Sequence, residues 1–458
     1  MREGLQKVVP TDDTIVAIAT PLGRSGIGVV RISGNRSDSI AARLFKSERT
    51  LIHRYATPGQ WADAKGIVID EVVATLFKAP NTYTGEDILE ISAHGNPLIL
   101  TRIVGTVLEM GTRMAAAGEF TLRAVINGKM DLIQAEAVRS FIDAQTGEQA
   151  RAALLQIGGA LSKRIFPAKE KLVDVIAQLE AGIDFADDDV PPPKADAVAA
   201  DLVQVSEALK ELQASYSYGR ILSSGLRLAI IGKPNVGKSS LFNRFVGQDR
   251  AIVTNVPGTT RDVVSESVSL DGVPLRFFDT AGLRDTDEAV ERIGMERTME
   301  TLSEADLVLF VLDGSAAIDD VDRDIQSRIE KTAHLTIVNK CDLPEKSTVV
   351  LPGETDMIRV SAKTGEGFQH LQNAIRVFLG IKPESVSGAV MTSARQFECL
   401  SEAVRALDKG RVSLLEGVPH EMVLLDAYEA LSQLNELTGE VVTEDILGRI
   451  FSTFCVGK

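Results

Sequence analysis

Two periodicities divide the chain. Up to about residue 125, short apolar runs alternate with turn-rich connectors. TIVAIAT, GIGVVRIS, GIVIDEVVATLF and DILEISA read as strands, KAPNTYTGED as a connector, and Pro97 to Met110 as a helix. From about Asp131 the apolar residues recur three and four positions apart, through LIQAEAVRSFIDAQTGEQARAALLQIGGALSKRI and AKEKLVDVIAQLEAGIDF, as amphipathic helices require. DFADDDVPPPK then stops the pattern with an acidic cluster and a proline run. Helical spacing returns over 194–219, yields to alternating strands and helices between about 220 and 382, and resumes from about 393. The pattern predicts α/β plus α+β architecture in several domains: an N-terminal α+β domain (1–125), helical segments at 126–219 and 383–458, and an α/β unit (220–382) between them. The helical segments read as one discontinuous domain or as two separate bundles.

Composition narrows the class. The 458 residues, 44% hydrophobic and 25% charged, have the balance of a soluble globular protein with several cores. No apolar run approaches the ~18 residues of a membrane span, and MREGLQKVVPTDD lacks a signal-peptide core, so cytoplasmic residence and no membrane partner are expected. Cys341, Cys399 and Cys455 lie far apart without a C-x-x-C pair, which fits a reducing compartment. The formal charge of -15 excludes a broad basic face for nucleic acid, so any RNA contact is local or shared with a partner. Asp187 to Asp189 read as a solvated acidic turn, and GRSGIG (Gly23 to Gly28) as a turn.

The most specific chemistry lies in LRLAIIGKPNVGKSS, residues 226–240. A buried strand (Leu228 to Ile231) leads into G-x-x-x-x-G-K-[ST] from Gly232 to Ser239, and helical spacing follows. The glycines let backbone N–H groups turn toward phosphate oxygens, Lys238 reaches the terminal phosphates, and the Ser239 hydroxyl suits Mg²⁺. The cradle comprises Asn235, Val236, Gly237, Lys238, Ser239 and Ser240.

Further motifs follow in the order a guanine-nucleotide domain requires. GTTRD supplies Thr259 and Thr260, and LRFFDTAG ends in Asp279 and Gly282. VNKCD supplies Asn339, Lys340 and Asp342, whose carboxylate can accept from the N1–H and 2-amino edge of guanine, a donor pair adenine lacks. SAK (Ser361, Ala362, Lys363) adds a backbone contact to the guanine oxygen. Together they select GTP over ATP.

Catalysis departs from the Ras-type plan, in which a glutamine after the DxxG glycine orients water and an arginine stabilises transition-state charge. Here that position is Leu283. Asp285, Asp287, Glu288 and Glu291 follow, each readable as the water-orienting carboxylate or as a solvated loop residue. Asn235 and the carbonyls of TNVPGTT offer oxygens for a monovalent cation where an arginine would act, although a loop asparagine also has an ordinary structural reading.

GKPNVGKSS, GTTRD, DTAGLRDTDEAVERIG and the terminal LGRIFSTFCVGK, with NTYTGEDILEISAHGN and AAGEFTLRAVINGKMDLIQAEAV, resemble the tRNA-modification GTPase family known as MnmE or TrmE over essentially the whole chain. The resemblance implies a folate-binding N-terminal domain, a discontinuous helical domain and an inserted Ras-like P-loop G domain. It implies a homodimer that works with the FAD-dependent flavoprotein MnmG (GidA). Together they attach an aminomethyl or carboxymethylaminomethyl group to C5 of the tRNA wobble uridine, with a tetrahydrofolate derivative (5-formyl or 5,10-methylene) as one-carbon source.

By the same resemblance, the G domains dimerise in a potassium-dependent way. Asn235, Thr254, Val256 and Thr259 become K⁺ ligands, Ser239 and Thr260 Mg²⁺ ligands, and Glu291 the residue that orients water. Arg31, Glu90, Lys129 and Lys458 become folate contacts, and Cys455 a candidate for the modification chemistry, against its ordinary reading as a small apolar residue. HGN at His94 to Asn96, AGEF at Ala117 to Phe120 and Val456 depart from the family's usual HGG, PGEF and isoleucine. A GTP-gated RNA-binding switch and a folate-dependent aminomethyltransferase acting on protein are competing readings. The first would lead one to expect a basic module after the G domain, where this chain has acidic helices.

Overall fold

The computed structural model describes residues 13–184, 194–248, 267–278, 305–344, 356–380, 390–441 and 443–457. The chain divides into two compact units. One comprises Met1–Arg139, Gln156–Lys210 and Glu398–Lys458, the other Ser140–Leu155 and Glu211–Phe397. The N-terminal sheet and most of the helical residues thus share a unit, and a helical stretch around 140–155 groups with the α/β residues.

The first unit is built on a seven-stranded sheet of β1 (Ile15–Ile18), β2 (Ser25–Ser33), β3 (Phe45–Lys46), β4 (Thr57–Ala62), β5 (Val68–Phe77), β6 (Ile88–Gly95) and β7 (Arg113–Met114), in the order β3-β4-β5-β6-β2-β1-β7. Every pairing is antiparallel except β1 with β7. Helices Ser37–Leu44 and Pro97–Leu108 supply Ile40, Leu44, Leu100 and Ile103 to the core of one face, where the buried Trp61 indole N–H donates to the Thr106 hydroxyl at 3.0 Å. GRSGIG is not the turn its glycines suggest, because β2 begins at Ser25 and runs through Gly28. A Cβ on Gly28 would meet the Leu100 side chain at 2.4 Å, so the glycine makes room for a helix over the strand. Asn96, in the variant HGN, caps helix Pro97–Leu108 by accepting from the Leu98 N–H at 2.9 Å, a role glycine has no side chain to perform.

The rest of this unit is helical, with Ser162–Asp184 packed along His420–Thr438 and Glu444–Phe451 in a small core with Val125, Ile126 and Leu132. Gly457, at φ +98°, approaches the Ile18 carbonyl too closely to carry a side chain. Ala117 and Val456, two of the departures from the family pattern, face each other in an isolated antiparallel bridge.

The second unit holds a six-stranded sheet of β8 (Leu226–Ile231), β9 (Ser267–Leu270), β10 (Val273–Phe278), β11 (Leu307–Asp313), β12 (His334–Asn339) and β13 (Ile358–Arg359), in the order β13-β12-β11-β8-β10-β9. All pairs are parallel except β9 with β10. Its central strands are continuous apolar runs, since helices cover both faces of a parallel sheet.

Candidate nucleotide site

The phosphate loop joins β8 to helix Lys238–Gln248. Its path needs left-handed or otherwise unusual backbone at Gly232 (φ +150°), Asn235 (φ +60°) and Gly237 (φ +97°). Asparagine is among the few side-chain-bearing residues that tolerate this region, which gives Asn235 a backbone reason for its place independent of any ion. A Cβ on Gly232 would strike the Val311 carbonyl at 2.3 Å, and one on Gly237 the Asn339 amide at 2.2 Å. Lys238 folds onto its own loop, donating to the carbonyls of Gly232 (2.8 Å) and Lys233 (2.7 Å). Both of these acceptors are neutral backbone oxygens, for which a phosphate is a stronger competitor.

Asn339 ends β12 and ties the site together. Its buried amide donates to the Val236 carbonyl at 2.8 Å and its oxygen accepts the Ala362 N–H at 2.9 Å, joining phosphate loop and base loop through one side chain. Lys340 follows at φ +67°, and its ammonium pairs with Asp313 at 2.6 Å. Burial of Asp313 opposes ionisation, but hydrogen bonds from Lys340 and Ser315 outweigh it and hold the carboxyl below its ordinary range. The Asp342 carboxylate accepts from the Ser361 hydroxyl at 2.7 Å, which leaves further acceptor positions for a ligand. The structure thus brings together Val236, Gly237, Asn339, Asp342, Ser361 and Ala362, with Lys238 on the same loop.

Two groups of residues in this unit escaped the sequence reading. Lys233 bridges Asp319 (2.8 Å) and Asp322 (2.7 Å), the capping-box pair that opens helix Asp320–Ile329. Burial lowers the Lys233 pKa, yet the two carboxylates raise it overall. Arg244, on the same helix as Lys238, reaches the carbonyls of the loop after Ser361.

In the first unit, Arg31 and Glu90 stand opposite each other on β2 and β6 and form an ion pair, Nη2 to Oε1 at 2.8 Å. Arg31 also donates to the Gly457 carbonyl at 3.3 Å and lies 6.0 and 5.7 Å from the ring centres of Tyr83 and Phe120. A cation near two aromatic rings, beside a carboxylate that keeps acceptor capacity, suits a flat heterocycle that also bears carboxylates. Lys129 is turned onto the Pro80 carbonyl at 2.8 Å, and Cys455 is exposed. Thr254, Val256, Thr259, Thr260, Asp279, Gly282, Leu283, Glu291, Lys458 and Asp187 to Asp189 lie outside the described residues.

Beneath this surface lies a charge network with no sequence motif. Arg123 is fully buried and pairs with Asp13 (2.5 Å), Glu86 (3.0 Å) and Glu119 (2.9 Å), while Arg113 binds Asp13 and Glu119. Burial raises the pKa of Glu86, and Arg123 only partly counters it. In Asp13 and Glu119 burial has the same sense, but the arginine contacts prevail and both carboxyls fall below their usual range.

Comparison with known proteins extends this picture along the chain. Residues 14–129 match the model of the GTP-binding protein TrmE N-terminus, and residues 132–455 that of the MnmE helical domain. The tRNA modification GTPase MnmE of Koribacter versatilis (strain Ellin345) is 46% identical over 98% of this chain and 99% of its own. That of Aquifex aeolicus (strain VF5) is 42% identical over 97% of this chain and 100% of its own. Among solved structures, the G domain of the T. maritima FeoB iron transporter is 22% identical, covering 34% of this chain and 99% of that chain, with a TM-score of 0.25. No helix among the described residues is long and apolar enough to cross a membrane.

Proposed function

The chain belongs to the MnmE family of tRNA-modification GTPases, and we propose that it couples GTP hydrolysis to installation of an aminomethyl-type group at C5 of the tRNA wobble uridine. The observation that carries the nucleotide half is Asn339. By holding Val236 and Ala362 at once, it sets the phosphate cradle and the base loop in one register, with Asp342 beside them to accept from guanine.

Within this reading Lys238 leaves its loop carbonyls for the terminal phosphates, and Ser239 with Thr260 holds Mg²⁺. Asn235, Thr254, Val256 and Thr259 hold K⁺, which supplies positive charge at the transferring phosphate. Glu291 orients the attacking water. The Arg31–Glu90 pair, with Lys129 and Lys458, takes a tetrahydrofolate derivative that supplies the one-carbon unit, and Cys455 takes part in the modification chemistry. The protein acts in the cytoplasm as a homodimer with the flavoprotein MnmG. The domain limits proposed from the sequence (1–125, 126–219, 220–382, 383–458) accompany this assignment.

Two experiments test the two halves. A strain lacking the gene should lose the modified wobble uridines in a nucleoside profile, and full-length protein should hydrolyse GTP much faster in KCl than in NaCl. An unchanged profile removes the tRNA function; equal rates remove the cation from the mechanism.

A further inference from the structure

We propose that Arg244 is a positioning residue for base recognition, setting the 361–365 loop so that the Lys363 N–H faces the C6 oxygen of guanine. The inference rests on the guanine reading of this site and deepens it. Arg244 projects from helix Lys238–Gln248 and donates to three successive carbonyls, Ala362 (3.5 Å), Lys363 (3.3 Å) and Thr364 (3.0 Å). Among the described residues it has no carboxylate partner, so this cation is committed to backbone oxygens.

That commitment has a geometric result. In a trans peptide the carbonyl and the following N–H point in opposite directions, so gathering the carbonyls on one side turns the N–H groups of residues 363–365 to the other. Thr364 donates to the Ser361 hydroxyl at 3.1 Å and Gly365 to the Ser361 carbonyl at 2.8 Å. The Lys363 N–H donates to no described residue and is left for a ligand. On the inner side the Ala362 N–H is already held by Asn339 at 2.9 Å. The loop is therefore fixed from both flanks, by a neutral amide within and a guanidinium without.

Gly365 shows that the loop is built around this cation. It sits at φ +92°, and a Cβ there would lie 1.7 Å from the Arg244 guanidinium. A lysine in place of Arg244 would bring one compact ammonium where a planar fork now spans three acceptors.

The test compares two ligands on the full-length chain. GDP carries the C6 oxygen. 2-Aminopurine riboside diphosphate keeps the sugar, phosphates and 2-amino group but lacks that oxygen and, with it, the N1–H, so each variant is compared with the unsubstituted protein on the same ligand. Arg244→Ala should weaken GDP by about tenfold in titration calorimetry and leave the analogue within about twofold of the unsubstituted protein. Equal losses for both ligands would mean that Arg244 merely stabilises the unit, and an unchanged GDP affinity would mean that it does nothing for the base; either overturns the proposal. If Arg244→Ala fails to fold, Arg244→Lys is measured in the same way, with a smaller loss again confined to GDP. Unsubstituted protein that binds both diphosphates alike would overturn the guanine reading itself, and the proposal with it.

Discussion

Lys238 and Arg123 are both cations surrounded by oxygen, and the kind of oxygen separates their roles. Lys238 donates to two neutral carbonyls of its own loop among its contacts, whereas Arg123, fully buried, is held by three carboxylates. Both sets of bonds have an ionised donor, but a carboxylate adds the attraction of a full opposite charge that a carbonyl lacks, so a phosphate competes with the two loop carbonyls more readily than any anion could compete with the cluster around Arg123. Arg31 falls between them, with one carboxylate, one carbonyl and two aromatic rings.

The largest effect that would break this contrast lies at Lys238. Lys238→Ala should slow GTP hydrolysis by about a hundredfold or more while leaving the denaturation midpoint of the protein in place; a small kinetic effect would mean that the lysine stays on its carbonyls throughout. Arg123→Leu should do the reverse. Removing one member of a buried ion cluster strands its partners, so the unfolding free energy of the first unit should fall by about 3–5 kcal/mol in a urea titration, with GDP affinity unchanged.

The smallest effect is in pH. Asp13 and Glu119 have lowered folded-state values, so the stability they confer is complete above their unfolded values of 3.8 and 4.5 and drains as pH falls through the lowered ones. Glu86 has the opposite sign, because its raised value makes the folded chain bind the proton more tightly, and acidification through that value favours the folded state. The thermal midpoint should therefore hold or rise slightly as pH falls from about 7 toward about 5, through Glu86, and fall only below that as Asp13 and Glu119 take up protons. Arg123→Leu, which removes a cation from all three carboxyls, should make the acid limb shallower. A limb as steep as that of the unsubstituted protein would place the acid sensitivity elsewhere.

The legible parts of the chain share one property: their partners are close in sequence or dictated by a ligand of fixed shape. The phosphate loop could be read because a backbone cradle for phosphate needs glycines at fixed spacing, and Asp342 because guanine presents two adjacent donors. Arg31 and Glu90 were named only through family resemblance, since neither lies in a composition that marks a site. Arg244 and Arg123 could not be read, because their acceptors lie as far as 120 and 110 positions away. The pattern of a helix face or a strand says nothing about which distant carbonyl or carboxylate a long side chain will meet. GRSGIG was misread for a related reason. Glycine signals a turn locally, but Gly28 serves a helix whose Leu100 no local rule could place above it.

The hydrogen bond from Arg31 to the Gly457 carbonyl spans 426 positions. A ribosome that has just completed β2 must add most of the chain before that acceptor exists, so any N-terminal sheet formed during synthesis holds an arginine with one partner still missing. A nascent or truncated chain can therefore possess the strands of the proposed folate pocket without the finished pocket.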